Sequence, residues 1–338
     1  MADNNLITVH FRRIAETLII NANLIYDVGL MNGKMGIALF LFHLARKTET
    51  DVYGEYAGDL IDQIFKSLHL DMSVSYADGL AGIGVGIEYL IRNKFIDAET
   101  DNVMEEIDNT IIHHIQYHLS STPEISRGIT GLGKYYMNRL SKDQNFKNMH
   151  NYTLLSHIIL SLSDLTSTFY SVIPLEIAQE KTSIYLNDAV EKMETMIHEE
   201  MNLGKFPNGN FHPLIATAVL VLASKNTGNN IYAEKAHQYL KSYEPFFRSH
   251  LKNKNQTETL KWSFLYKYFG EEFNDDTLMK LSDEWLIYSL TKEFEYHTSM
   301  GLLDGYAGAG MYLLFLDDHS EGKWLDIIPF YVEKDNSL

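Results

Sequence analysis

Asp78-Gly79-Leu80-Ala81-Gly82-Ile83-Gly84-Val85-Gly86-Ile87-Glu88-Tyr89-Leu90 opens on two glycines three apart and runs on almost wholly apolar. The five-residue head, x-Gly-x-x-Gly, occurs four times. The other copies are Asn32-Gly33-Lys34-Met35-Gly36, Arg127-Gly128-Ile129-Thr130-Gly131 and Asp304-Gly305-Tyr306-Ala307-Gly308, and an apolar stretch follows each. The second glycines fall at 36, 82, 131 and 308, so the intervals are 46, 49 and 177 residues. The long interval leaves room for three degenerate copies, and a fixed period of this size marks a repeat architecture.

Each repeat reads as two helices. The helix after the pentad is apolar all round and belongs inside. The next, such as Asp101 to Leu119 or Ile231 to His250, has one wet face and belongs outside. Spacing places a fifth copy at Phe211-His212-Pro213-Leu214-Ile215-Ala216. A sixth lies at Leu260 to Tyr266 with its outer helix over Asp276 to Thr291, and a weak fourth near Tyr170 to Gln179. Six prolines and scarce alternation of apolar with polar residues agree with an all-α chain. The expected fold is an α/α toroid, seven inner and seven outer helices closed into a ring, as a single domain over 1–338. The pentad glycines Gly33, Gly36, Gly79, Gly82, Gly128, Gly131, Gly305 and Gly308 read as structural. They clear bulk from a helix stripe and admit unusual backbone where a loop turns into a helix. A phosphate loop is excluded, because the Gly-x-x-x-x-Gly-Lys-Ser/Thr pattern is missing and no strand precedes any pentad.

Composition narrows the function. The 338 residues contain no cysteine, which removes disulfides, iron–sulfur clusters, thiolate nucleophiles and sulfur-liganded zinc. Acidic residues number 45 against 28 basic, a formal charge of -17, with no basic stripe longer than Lys252 to Lys254. Nucleic acid is therefore not an expected partner; a basic peptide is. No run reaches the ~20 apolar residues of a membrane span and no signal segment is visible, so no membrane partner is expected and the cytoplasm is the default location.

The pentads, their period and the ending Leu302-Leu303-Asp304-Gly305-Tyr306-Ala307-Gly308-Ala309-Gly310 resemble the lanthionine synthetase C-like family. The segment around Trp324-Leu325-Asp326-Ile327-Ile328 is similar to that family's C-terminus. The resemblance implies an α/α toroid. In active members it also implies a zinc ion at one mouth that activates peptide thiols for addition to dehydrated serine or threonine. Those members draw zinc ligands from a Trp-Cys-x-Gly motif in the fifth repeat and a Cys-His-Gly motif in the sixth. Here the corresponding stretches read Asn210-Phe211-His212-Pro213 and Thr257-Glu258-Thr259-Leu260-Lys261-Trp262. With no cysteine, the family's site is gone, and neither metal nor cofactor is expected.

Candidate residues remain at the mouth. Glu124 stands where active members have a catalytic acid, although a carboxylate leading into a helix has a purely structural use. His212 is a candidate ligand or acid/base group, with Glu258, His297 and Asp304 possible neighbours, although a mouth or core histidine with one hydrogen bond is the favoured reading. By spacing His212 sits beside the lost cysteine; by local pattern it resembles a histidine of the family's fourth repeat. Spacing is favoured. Asp78 and Asp304 hold the same pentad position and either cap their helices or ring an acidic cup. Tyr76, Arg127, Phe211 and Tyr306 complete the expected ligand-binding mouth. His113 and His114 lie on an outer helix and point apart.

Two classes of function follow. One is a cyclase-like toroid without its zinc, not itself an enzyme, that binds a peptide substrate or a peptide-modifying enzyme partner in ribosomal peptide modification. The other is a carbohydrate-active α/α-toroid enzyme using the mouth carboxylates, an analogy between folds only.

Overall fold

The architecture comes from a computed structural model of the chain. It describes residues 4–69, 71–97, 101–118, 127–140, 217, 220, 221, 224, 228–251, 255–292, 299–302, 305–318, 324, 325 and 327. Among these residues every regular element is helical: α1 (Asn4–Asn21), a short 3-10 turn (Ala22–Leu24), α2 (Lys34–Thr48), α3 (Asp51–Ser67), α4 (Leu80–Arg92), α5 (Asp101–His118), α6 (Ile129–Leu140), α7 (Asn230–Leu251), α8 (Gln256–Glu272), α9 (Asp276–Thr291) and α10 (Tyr306–Asp317). The contacts divide the chain into two compact units, Met1–Leu154 with Lys254–Pro329, and Leu155–Asn253 with Phe330–Leu338.

In the first unit, fully buried and half-buried helices alternate as the apolar patterns require. Every residue of α4 from Leu80 to Leu90 and of α10 from Tyr306 to Leu316 is buried. On α3 only Ala57, Leu60, Ile61 and Ile64 are buried, a stripe at helical spacing, and the rest of that helix is half-buried or exposed. The pairs α2–α3 and α8–α9 pack as hairpins, α4 packs against α5 and α6, and α10 packs against α8, α1 and α2. α1 belongs to none of the repeats; Ile7, Phe11, Ile14, Ala15 and Leu18 form its buried face. In the second unit, Tyr232, Ala236 and Leu240 form a buried stripe on α7. Thr217, Leu220, Val221 and Ser224 are buried ahead of it. No described helix is long and apolar enough to cross a membrane.

The repeats share two backbone devices. At each start, the first pentad glycine is the residue before the helix: Gly33, Gly79 and Gly305 flank α2, α4 and α10 with ordinary extended angles. The lead-in loop folds back so that the helix's first amide donates to a carbonyl seven residues earlier, Lys34 to Asp27 (3.0 Å), Leu80 to Ser73 (2.9 Å) and Tyr306 to Ser299 (3.3 Å). A Cβ on Gly79 would overlap the Ser73 carbonyl, and one on Gly82 the Tyr76 carbonyl. Space rather than backbone angle therefore demands glycine there. The helix-against-helix contacts fall on later glycines: Gly84 against Tyr135, Gly86 against Met35 and Gly310 against Phe40.

At the stops of α2, α4 and α8 a non-glycine residue turns left-handed, Glu49 (φ 50°), Lys94 (φ 57°) and Asn274 (φ 50°), whereas α10 ends on Asp318 in extended backbone. After each left-handed residue the next amide reaches back five residues, Thr50 to Ala45 (3.1 Å), Phe95 to Leu90 (2.9 Å) and Asp275 to Gly270 (2.8 Å). This is a Schellman closure repeated in three repeats.

Candidate functional site

The pentads bring their leading residues together. Asn32, Asp78 and Arg127 hold the same position in three repeats. Asn32 Nδ2 donates to Asp78 Oδ1 (3.1 Å), and Arg127 Nη2 donates to Asp78 Oδ2 (3.2 Å). The separations in sequence are 46 and 49 residues, the repeat period itself. The loops beneath are bound by backbone as well: the Met31 amide donates to the Ala77 carbonyl (2.9 Å), and the Leu302 amide donates to the Met31 carbonyl (2.7 Å). Asp78 therefore joins three repeats through its side chain. It does not cap its own helix, because Gly79 takes that place.

This row is the polar rim of the first unit. The Arg127 side chain is 67% exposed and that of Asp78 22%. Sequence reading missed Asp27, which lies within electrostatic reach of Asp78 and Arg127. Its carboxylate accepts from the Gly29 amide (2.7 Å) and its carbonyl from the Lys34 amide. Burial raises its pKa. The Gly29 hydrogen bond opposes this, the charge of Asp78 adds to it, and Arg127 works against it. The signal for Asp27 was its place seven residues before the pentad helix, equivalent to Ser73 and Ser299, which becomes visible only once the loop is folded.

Of the other expected mouth residues, Tyr76 and Tyr306 lie in the core, 1% and 2% exposed. The Tyr76 hydroxyl donates to the Ile327 carbonyl (2.6 Å), and burial pushes its pKa far above the ordinary phenol value. Glu124, Phe211, His212, His297 and Asp304 lie outside the described residues. Glu258 sits in the first turn of α8, its amide donating to the Asn255 side chain that caps the helix (2.8 Å). His113 is exposed on α5, and its neighbour His114 is half-buried.

A second polar cluster lies inside, where sequence periodicity showed only core. Arg139 of α6 holds Asp108 of α5 through Nε (3.1 and 3.2 Å) and Nη2 (2.5 Å), and also bonds Glu88 of α4. The Tyr135 hydroxyl donates to Asp108 (2.6 Å). Glu88 and Asp108 are 4% and 5% exposed, so two carboxylates are compensated by one guanidinium fixed across three helices.

The zinc that the family resemblance implies does not fit the donors present. The whole chain offers no thiolate, and among the described residues no three His, Asp or Glu side chains converge as metal ligands. The rim can do something else. It presents a cation braced by a carboxylate, with a second, partly buried carboxylate within electrostatic reach, a set suited to gripping a charged or hydrogen-bonding segment.

No curated protein matches the chain. Among solved structures, nisin cyclase superposes with a TM-score of 0.67 at 16% identity, over 94% of this chain and 96% of that one. Likeness of this kind shows the fold, and it places the chain in the all-α, α/α-toroid class. The family model described as lanthionine synthetase C-like protein matches residues 25–208, more than half of the sequence, and that span takes in the first three pentads. The chain therefore belongs to the lanthionine synthetase C-like family.

Proposed function

We propose that this protein is a non-cyclising member of its family that binds peptide, or a peptide-modifying partner, at the pentad rim during ribosomal peptide modification. One observation carries the reading: not one cysteine exists in 338 residues, so the sulfur-liganded zinc of active members has no counterpart here. Thiol addition to a dehydrated residue needs a thiolate, and a metal supplies it by lowering the thiol's pKa. The rim row Asn32–Asp78–Arg127, with Asp27 within electrostatic reach, supports a retained binding role, and the charge of -17 favours a basic segment. In this reading residues 1–338 form one repeat domain, working in the cytoplasm, and Glu124, Phe211, His212 and Asp304 complete the mouth with Asp78 and Arg127.

The test uses the full chain. Elemental analysis after purification is expected to find well under one zinc per chain. A peptide carrying one cysteine and one dehydroalanine should keep its free thiol, read by alkylation because ring closure changes no mass. A labelled basic peptide should bind with salt-sensitive affinity, weakened several-fold by Asp78→Asn. One firmly held zinc per chain, or catalytic loss of the thiol, overturns the proposal.

A further inference from the structure

Beyond α10 the chain returns to the inner helices of the first unit. Trp324 is 2% exposed. Its ring lies 5.6 Å from that of Phe264 on α8 and 5.9 Å from that of Tyr312 on α10, two rings that stack on each other at 5.2 Å. The Ile327 amide donates to the Trp324 carbonyl (3.1 Å), and the Ile327 carbonyl accepts from the Tyr76 hydroxyl (2.6 Å) in the loop ahead of α4. These contacts fix where the segment runs. α8 and α2 flank α10, α2 packs on α4, and α1 backs α10 from the outer layer, where it also meets α9. Every residue from Tyr306 to Leu316 is nonetheless buried, so the remaining side of α10 is covered too, and Trp324 lies against it. A segment in touch with α8, α10 and the α4 loop therefore passes α2 on the inner face, opposite the outer helices.

The hold on this segment is limited. It is part of none of the helices α1 to α10, and Leu325 is only half-buried. Trp324 Nε1 is buried without a hydrogen-bond partner among the described residues, and a dry indole donor counts against the seated state. We propose that Trp324–Ile327 is an autoinhibitory contact: it seats an indole where an aromatic side chain of the bound peptide goes, and the peptide enters by displacing it. The seat sets the ligand class, because Phe264, Tyr312 and Phe315 make an aromatic wall that suits an aromatic side chain and no charge. One loop joins seat and rim. Tyr76 holds the segment, and Asp78, two residues on, holds Asn32 and Arg127. A peptide with a basic and an aromatic residue engages both. The inference rests on the peptide reading of the rim for its ligand and adds the condition under which that ligand binds.

Apparent affinity is divided by the fraction of molecules whose seat is open, so loosening the segment tightens binding by the same factor. Hydrogen exchange of the full chain, read by mass spectrometry, follows residues 324–328, with residues 306–317 of α10 as reference. The segment should exchange at least about tenfold faster than α10, and Tyr76→Phe should speed the segment alone by roughly three- to tenfold. A labelled Lys/Ser peptide with one central tryptophan, titrated by fluorescence anisotropy, should bind Tyr76→Phe tighter by that factor and at saturation should strip protection from 324–328. The same peptide with alanine for tryptophan should do neither. Trp324→Ala, which empties the seat directly, should tighten the tryptophan peptide at least as much. Tyr56→Phe loses the same kind of bond, to the Ile19 carbonyl, and should stay within about twofold of the parent. Circular dichroism melts establish that each variant is folded. Tryptophan peptide bound while 324–328 stays protected, or affinity unchanged in both Tyr76→Phe and Trp324→Ala, overturns the autoinhibitory contact and leaves rim binding standing. So does exchange at 324–328 as slow as that of α10 in Tyr76→Phe, which would make Trp324 an ordinary core residue. Failure of both peptides to bind the parent and both seat variants removes the peptide reading itself, and this inference with it.

Discussion

At the scale of single residues, two glycines of the same unit should answer alanine in opposite ways. Gly82 has the Tyr76 carbonyl and the Leu30 side chain where a Cβ would go, while Gly58 on α3 has nothing within 4 Å. Gly82→Ala is expected to cost about 1–3 kcal/mol or more by overpacking. Gly58→Ala should gain about 0.5–1 kcal/mol by reducing the freedom of the unfolded chain. Urea melts of the two variants check both signs. His10 gives a pH prediction. Its Nε2 donates to the Leu290 carbonyl (2.9 Å), so in the neutral ring Nδ1 accepts from Gln256 Nε2 (3.2 Å), which also donates to the Ser289 carbonyl (2.8 Å). Protonation would turn Nδ1 into a second donor facing a donor. Burial lowers the pKa below its ordinary 6.5, the carbonyl bond opposes this, and Arg13 adds to the lowering. The folded state thus binds the proton less well than the unfolded one. Stability from this site is complete above pH 6.5 and falls as pH drops through the lowered folded value. Thermal melts from pH 7.5 to 5 should decline more steeply for the parent than for His10→Gln, and equal slopes would remove His10 from the account.

Between elements, the Glu88–Arg139–Asp108 cluster ties α4, α5 and α6 where the rest of the contact is apolar. Arg139→Met would leave two carboxylates in the core without their cation, and a loss of about 3–5 kcal/mol is expected. Adding Glu88→Gln and Asp108→Asn to that variant should recover part of the loss, because the cost lies in uncompensated charge rather than in missing attraction. A chemical-denaturation cycle over the three sites reads this, and full additivity would contradict it. The same helices show what the sequence could tell. Helix starts were legible, because Gly33, Gly79 and Gly305 are required by backbone crowding and so leave a periodic mark. The stops were not. The left-handed position that usually signals itself as glycine is filled by Glu49, Lys94 and Asn274, whose side chains give no common pattern. The outer helix Asp276–Thr291 was placed to the residue and the outer helices at Asp101 and Ile231 to within one residue at each end, since their half-buried stripes repeat every three or four positions. The rim was half legible. Asp78 and Arg127 stood out by pentad position, but their meeting depends on repeats lying side by side. Tyr76 and Tyr306 were read as lining because tyrosine is ambiguous between core and surface; their burial follows from loops that fold back over the helix starts.

For the molecule as a whole, the order of the chain and the order of packing differ, and this bears on what can fold alone. The first unit joins residues 1–154 to residues 254–329. α10 packs on α1 and α2, with Phe40 filling the space beside Gly310. Lys47 of α2 pairs with Asp317 (2.8 Å), and Lys267 Nζ of α8 donates to the Leu316 carbonyl (2.8 Å). Eleven consecutive residues of α10 are buried, among them Met311, Leu313, Leu314, Phe315 and Leu316. Burial of each large side chain stabilises by about 1.5–3 kcal/mol, so those five alone approach the whole stability of an ordinary domain, about 5–15 kcal/mol. A fragment of residues 1–154 therefore keeps its pentads and helix propensities but loses the surface on which α1 and α2 close. Expressed by itself, it is expected to show partial helicity, no cooperative melt and an expanded hydrodynamic radius. Mixing it with residues 254–338 should restore a cooperative transition and a compact species by gel filtration. If the 1–154 fragment alone melts cooperatively at the temperature of the full chain, the stabilising role given to α8–α10 is wrong, and the repeats are each more self-sufficient than their shared loops and side chains indicate.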